Sequence, residues 1–239
     1  MVCTAGITEK NEWVRLYPID YRYRPKQQQF RKYQWIEVSL SPRGSGSDKR
    51  KESRKPDLES IKLLGEPLST CNAWEARRAV IDGMPHNTVN ELISLYDRDN
   101  TSLGIVRPQE IISLEIEDAD PDWRPEWEMI YKQMTLFDPP KPLRKILFKF
   151  SYTFKCHDNP QPQKAMITDW ELGVLFLKES ERLKSEDKAA ESVRKKYLHE
   201  LCARDRDTRF FMGTVLPYNT WIVLGVFWPP KTRQASMRF

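Results

Sequence analysis

The side chains best suited to chemistry lie early in the chain, where aromatic and basic residues interleave: Trp13, Arg15, Tyr17, Tyr21, Arg22, Tyr23, Arg24, Phe30, Arg31, Lys32, Tyr33 and Trp35. Flat rings stack on unpaired bases and Lys/Arg neutralises phosphates, so this mixture has the chemistry of a nucleic-acid surface. Trp13 and Trp35 are expected in the core, whereas Arg15, Arg22, Arg24 and Arg31 are expected to reach a ligand. A second cluster follows at Lys49, Arg50, Lys51, Arg54 and Lys55. Within it, Arg50, Glu52, Ser53 and Arg54 could shape an anion pocket. A mobile cationic loop there would speed capture of a polyanion in a salt-dependent way; the alternative is a loop that only solubilises.

Three other groupings have weaker claims. Asp169 and Glu171 with His157 could do acid–base work. Thr168-x-x-Glu171 reads equally as a capping box, with Asp169 complementing the dipole of the helix it opens. Cys156, His157, His199 and Cys202 have the softness zinc wants, but neighbours on an extended segment point apart, and there is no CxxC pair. Cys3 is either a nucleophile or a small buried residue of the first strand. GxGxxG and Walker-A patterns are absent, and nine glycines leave little for a phosphate-cradling loop. No catalytic residue, metal or cofactor is therefore assigned.

Charge is unevenly spread over the 239 residues. Arg22–Lys55 carries eleven Lys/Arg against three acids, and Gln109–Glu128 eight acids against one Arg, while the whole chain is only +5. A basic front beside an acidic stretch points to a polyanion near one surface. With four scattered cysteines, no apolar run near the ~20 residues of a membrane span and no leader-like start, the expectation is a cytoplasmic protein without membrane contact.

The elements that would position these groups follow from pattern. Met1–Thr8 and Glu12–Ile19 read as strands around a turn at Glu9–Asn11, Tyr33–Leu40 and Leu58–Leu64 as two more, and Arg43–Lys55 as a flexible loop. Asn72-x-x-Glu75 with Gly83, and Thr88-x-x-Glu91 before Val89, Leu92, Ile93 and Tyr96, predict two capped helices. Strands are expected at Ser102–Val106 and Ile111–Ile116, then a Pro-rich linker with a short helix at Glu126–Phe137. Lys145–Lys155 (KILFKFSYTFK) alternates as a half-buried strand. Helices at Thr168–Leu183 and Lys188–Ala203 and a hairpin at Arg209–Val215 and Thr220–Trp228 complete the chain, with Trp170 on the apolar side of the first helix.

At VCTAGIT, EWVRLYPI, FRKYQWIEV, DKRKES and SLGIVRP the chain resembles an uncharacterised bacterial family. More distantly it resembles the dual-OB-domain proteins, which open with a Cys-x-Ala-Gly strand and then a Trp-Ile-Arg-Pro strand. The equivalents here are Cys3–Gly6 and Trp13–Leu16, and the match covers about the first 110 residues. FSYTFKC, DWELG, FFMGT and TWIVLGVF resemble the bacterial family alone. The resemblance implies an OB-like barrel and a place among prokaryotic defence, mobile-element or DNA-modification proteins; no activity carries over.

The expected architecture is α+β: an OB-like β-barrel with a helical insert at 1–118, an acidic, Pro-rich linker at 119–142, and a smaller α/β module at 143–239. The expected function is non-enzymatic binding of DNA or RNA within a defence or mobile-element system. Its ligand would be held by Arg15, Tyr21, Arg22, Tyr23, Arg24, Arg31, Lys32, Lys49, Arg50, Lys51, Arg54 and Lys55. The alternatives are an enzyme acting on a nucleobase or nucleotide through Cys3, Asp169 or Glu171, and an interaction subunit whose acidic Glu110–Glu128 docks a basic protein partner.

Overall fold

The computed structural model describes residues 2–42, 48–120, 144–215 and 220–232. The expected helix at Glu126–Phe137, most of the 119–142 linker and the turn at Leu216–Asn219 lie outside these residues. The broad class is α+β. Strands β1 (Val2–Ile7) and β2 (Trp13–Ile19) form an antiparallel hairpin. Its turn is closed by Asn11 in the left-handed region, which Asn tolerates better than most residues. The two-residue β4 (Ser53–Arg54) lies parallel to β2. Beside this sheet, β3 (Trp35–Glu37) pairs with β5 (Lys62–Leu64). Among the described residues these two sheets do not close into a barrel.

Helices α1 (Cys71–Ile81) and α2 (Val89–Asp99) flank β6 (His86–Asn87) and precede β7 (Leu103–Val106) and β8 (Glu110–Asp118). Strands β9 (Phe148–Cys156) and β10 (Asn159–Met166) follow. Then come α3 (Trp170–Leu183), α4 (Glu186–Arg194) with a π-helical continuation over Lys195–Glu200, β11 (Arg209–Val215) and β12 (Thr220–Phe227). One sheet runs β10-β9-β8 and another β12-β11-β7-β6. Both take strands from the two sides of 119–142, which connects the paired strands β8 and β9.

Thr88 and Glu91 form the expected capping box on α2. Two other caps differ from expectation. Asp169, not Thr168, caps α3 by accepting the Glu171 backbone N–H at 3.0 Å. At α1, Asn72, Ala73 and Trp74 all have left-handed φ, so the first turn is not a capped helical one. The alternation in β9 buries Phe150, Tyr152, Phe154 and Cys156, with Tyr152 stacked on Phe210 at 4.7 Å. Each such ring contributes about 1.5–3 kcal/mol on burial. Strand β10 had no strand pattern because Pro160 and Pro162 interrupt it; it sits at a sheet edge, where a missing N–H costs no ladder bond.

A second core cluster of Trp74, Ile81, Met84, Ile105 and Phe227 ties the N-terminal part to the larger sheets, with Trp13, Tyr33 and Phe211 against it. The same junction holds a buried polar knot. Glu52 accepts the backbone N–H and hydroxyl of Ser102 at 3.0 and 2.8 Å. Arg15 donates to the Ser102 carbonyl and hydroxyl at 2.9 and 3.1 Å, and its backbone N–H to Glu52 O at 2.9 Å. Gly213 makes room for this guanidinium, since a Cβ there would stand 3.2 Å from Arg15 NH2. Arg15 is only 4 % exposed, so its expected role as a ligand contact is corrected to a structural one. Urea unfolding should show Glu52→Ala destabilised by about 3–5 kcal/mol, because it strands a buried charge. Ser102→Ala should lose about 1–3 kcal/mol. An Arg15→Ala variant as stable as the parent would contradict the knot.

Candidate nucleic-acid interface

The N-terminal sheets, the N-terminus of α3 and the faces of β11 and β12 enclose an open groove of about 1850 Å³. Each wall is built differently. The hairpin contributes Trp13, whose ring meets Phe211 edge-on at 6.3 Å, and Tyr17, which is 50 % exposed. Trp35 is half-buried in β3 and also lines the groove. Trp170, expected on the buried side of its helix, is instead 56 % exposed over the groove, because it stands in the first turn of α3 before the apolar stripe begins. Leu172 and Phe176 form that stripe.

The basic residues divide sharply. Arg24 is buried and donates to Asp20, Gln28 and the Leu58 carbonyl, so its expected role as a ligand contact is corrected to a structural one. The segment Asp48–Lys55 does not project as a cationic arm. Arg50 grips Asp48 with Nε and NH2 and reaches the Thr214 carbonyl with NH1 at 3.0 Å. Lys51 pairs with Asp99 at 2.7 Å, and Arg54 folds onto the carbonyls of Lys51 and Ser53. Of the four residues expected to shape an anion pocket only Arg50 and Ser53 converge, and the carboxylate they hold is Asp48 of the chain itself; Glu52 turns to Ser102 instead. Burial pushes the Asp48 carboxyl up, yet the bonds from Arg50 and Ser53 outweigh it and hold it at about 2.

Arg31 pairs with Glu66 on the surface, and Tyr21 donates to the Phe30 carbonyl at 2.6 Å. Tyr23 is half exposed but does not line the groove, and neither does exposed Lys49. Lys10, Arg22 and Lys55 are exposed groove-lining cations. On the acidic side, Glu115 and Glu117 of β8 both pair with Lys164, and Glu110 with Lys155, so three acids of the stretch are engaged in place by two lysines.

At the inner end of the groove, Lys32 sits 2.6 Å from Glu171 and 3.6 Å from Asp169. Tyr197 donates its hydroxyl to Asp169 at 3.3 Å, and Tyr152 in turn donates to the Tyr197 carbonyl at 2.6 Å. Burial raises the Asp169 carboxyl above the ordinary aspartate range, and Lys32 opposes that rise. Burial would lower the Lys32 ammonium, but Asp169, Tyr33 and Glu171 together raise it. His157 lies on the exposed turn between β9 and β10, and Cys202 points its sulfur at the Tyr197 carbonyl, 3.1 Å away. Among the described residues, no three His, Cys, Asp or Glu side chains converge as metal ligands. Cys3 is exposed, with its sulfur 3.4 Å from Arg15 NH1.

The family model described as Domain of unknown function (DUF8757) matches residues 85–239. The chain belongs to that family. A second model, Domain of unknown function (DUF8758), matches residues 1–83. The border falls between α1 and β6, so the groove of this DUF8757 member lies where the two matched segments face each other. No curated protein and no solved structure matches the chain.

The two carboxyls shift in opposite directions, and so should their effects on stability. Asp48 binds its proton less tightly when folded, so its stabilisation is present above the ordinary aspartate range and lost as pH falls toward about 2. Asp48→Asn should cost about 1–2 kcal/mol at pH 7 and almost nothing near pH 2. Asp169 binds its proton more tightly when folded, so ionising it costs stability. Asp169→Asn, which keeps a capping side chain, should therefore gain on the parent as pH rises from the ordinary aspartate range. Unfolding curves across pH check both; parallel profiles for parent and variants would refute the assignments.

Proposed function

We propose that the chain binds single-stranded nucleic acid along the groove, as a non-enzymatic component. The observation that carries this reading is the pairing of exposed Trp170 and Tyr17 with exposed Lys10, Arg22 and Lys55 on the same groove. Open ring faces stack on bases only when those bases are unpaired, and the cations track the backbone. The proposed binding mode is a strand face with flanking loops, although among the described residues the sheets do not close into the expected OB-like barrel. A cytoplasmic place in a prokaryotic defence or mobile-element system belongs to the same proposal and rests on the sequence resemblance. Because half of the described Lys and Arg of the basic stretch are paired with acids of the chain itself, stacking supplies a larger share of the affinity than charge.

A second reading, an enzyme acting on a nucleobase or nucleotide, is favoured by one feature: buried Asp169 between Lys32 and Tyr197 at the inner end of the groove. Activity lost in Asp169→Asn with thermal stability intact would support it.

Fluorescence anisotropy with labelled single-stranded DNA, duplex DNA and single-stranded RNA tests the first reading. Single strands should bind at micromolar concentrations or tighter, and weaken as salt rises. Trp170→Ala should lower affinity by about 5- to 150-fold, the equivalent of 1–3 kcal/mol of stacking, with the salt slope unchanged. Arg22→Ala and Lys55→Ala should each flatten the salt slope by about 0.7. No binding of any of the three probes at low salt would overturn the reading.

A further inference from the structure

A narrow crevice of about 260 Å³ opens from the inner end of the groove, among Lys32, Tyr33, Trp74, Arg77, Glu171 and Trp228. It shares Lys32, Tyr33, Arg77 and Glu171 with the groove lining. Its size is below the ~300 Å³ at which sites for drug-sized ligands begin, so it suits a single ring system.

The crevice is unusual in what it leaves unpaired. Arg77 packs against two rings, its guanidinium carbon 4.1 Å from the Tyr33 centroid and 4.8 Å from that of Trp74. Its Nε donates to the Leu68 carbonyl, while NH1 and NH2 make no hydrogen bond or close ion pair among the described residues. Burial lowers its pKa, and the nearby Tyr33 and Glu171 offset this only in part. The buried Tyr33 hydroxyl also has no hydrogen-bond partner. Glu171 gives Oε2 to Lys32, and its Oε1 has no partner among the described residues.

The backbone around the crevice is strained as well. Tyr33 has φ 64, and Asn72, Ala73 and Trp74 have φ 50, 53 and 67 in succession. For an L-residue the left-handed conformation costs about 1–2 kcal/mol, and such strain collects at ligand clamps.

The chemistry of the unpaired groups is complementary and specific. Arg77 offers two terminal donors in a fork, and Glu171 offers a carboxylate with acceptor sites to spare after Lys32 is satisfied. The matching ligand is planar, with two acceptors on one edge and two donors on the next. Among the common bases only guanine has both, with O6 and N7 for an arginine fork and N1–H and N2–H for a carboxylate. Adenine presents its N6 amino group where Arg77 needs an acceptor. Cytosine and uracil have no paired donors.

We propose that this crevice takes one unpaired guanine base, with Arg77 on O6 and N7 and Glu171 on N1–H and N2–H. The proposal rests on the groove reading, since the strand in the groove would deliver the base.

Calorimetric titration of the full chain with guanosine, inosine, adenosine, cytidine and uridine, and with the matching 5′-monophosphates, tests it. Guanosine should saturate at least tenfold more tightly than adenosine. Inosine, which lacks only the 2-amino donor, should be weaker than guanosine. Glu171→Gln, at a side chain 59 % exposed, should keep the fold and lose tenfold or more of guanosine affinity. Arg77→Lys should do the same, with unfolding curves as the control. Nucleosides that bind equally, or not at all, while single strands bind in the groove would overturn the crevice proposal and leave the groove reading standing. Guanosine binding without any oligonucleotide binding would support the crevice and sink the groove. No binding of either would sink both.

Discussion

The rest of the structure depends on a buried charge pair that never touches directly. Glu52 and Arg15 both spend their hydrogen-bonding capacity on Ser102, one on its N–H and hydroxyl, the other on its carbonyl and hydroxyl. Neither ion could stay buried alone, because desolvation costs several kcal/mol per charge. Together they fasten three distant parts of the chain: the hairpin, the segment after Asp48 and strand β7. Strand β11 joins the same knot, since Thr214 donates its N–H to the Ser102 carbonyl at 3.0 Å. The groove is the space these fastened parts leave between them, so the buried network sets the spacing of its walls.

That arrangement explains why a strongly basic segment does not yield a strongly basic surface. Asp48 occupies Arg50, Asp99 occupies Lys51, Glu66 occupies Arg31, and Glu171 with Asp169 occupies Lys32. The fully exposed pair of Arg31 and Glu66 contributes little to stability, about 0–1 kcal/mol, but all of these pairs weaken the field a polyanion would feel. What remains open is aromatic: Trp170 and Tyr17 over a groove with only a few exposed cations.

The sequence was legible where local pattern decides the outcome. The clean alternation of β9 and the capping box of Thr88 and Glu91 both appear as read. It was illegible where a partner far along the chain decides. Arg50 meets Thr214 across 164 positions and Lys32 meets Glu171 across 139, so no window could show that either cation was committed. The cap expected at Asn72 failed for a related reason: Trp74 packs against Phe227 and Trp228, and that burial holds the segment in a left-handed turn. Strand β10 shows tertiary override in the other direction, since pairing with β9 recruits a proline-broken segment of low strand propensity. The groove-facing position of Trp170 was readable in principle, because a residue directly after an N-cap often precedes the helix's buried stripe.

The α3 N-terminus is where the two matched segments meet in chemical terms. Asp169 caps the helix and faces Lys32 from the N-terminal segment, Trp170 turns into the groove, and Glu171 closes on the same lysine. Three consecutive residues thus serve helix start, groove wall and inter-segment ion pair at once. Such sharing makes the site rigid, since moving Trp170 means disturbing a cap and a partly buried ion pair. It also gives a bound anion a competitor already in place, because any phosphate approaching Lys32 must displace Glu171 or share the lysine with it. A neutral hydrogen-bonding group faces no such competition, and the unpaired donors of Arg77 stand beside it. The electrostatics at this end of the groove therefore favour a neutral hydrogen-bonding group over an anion.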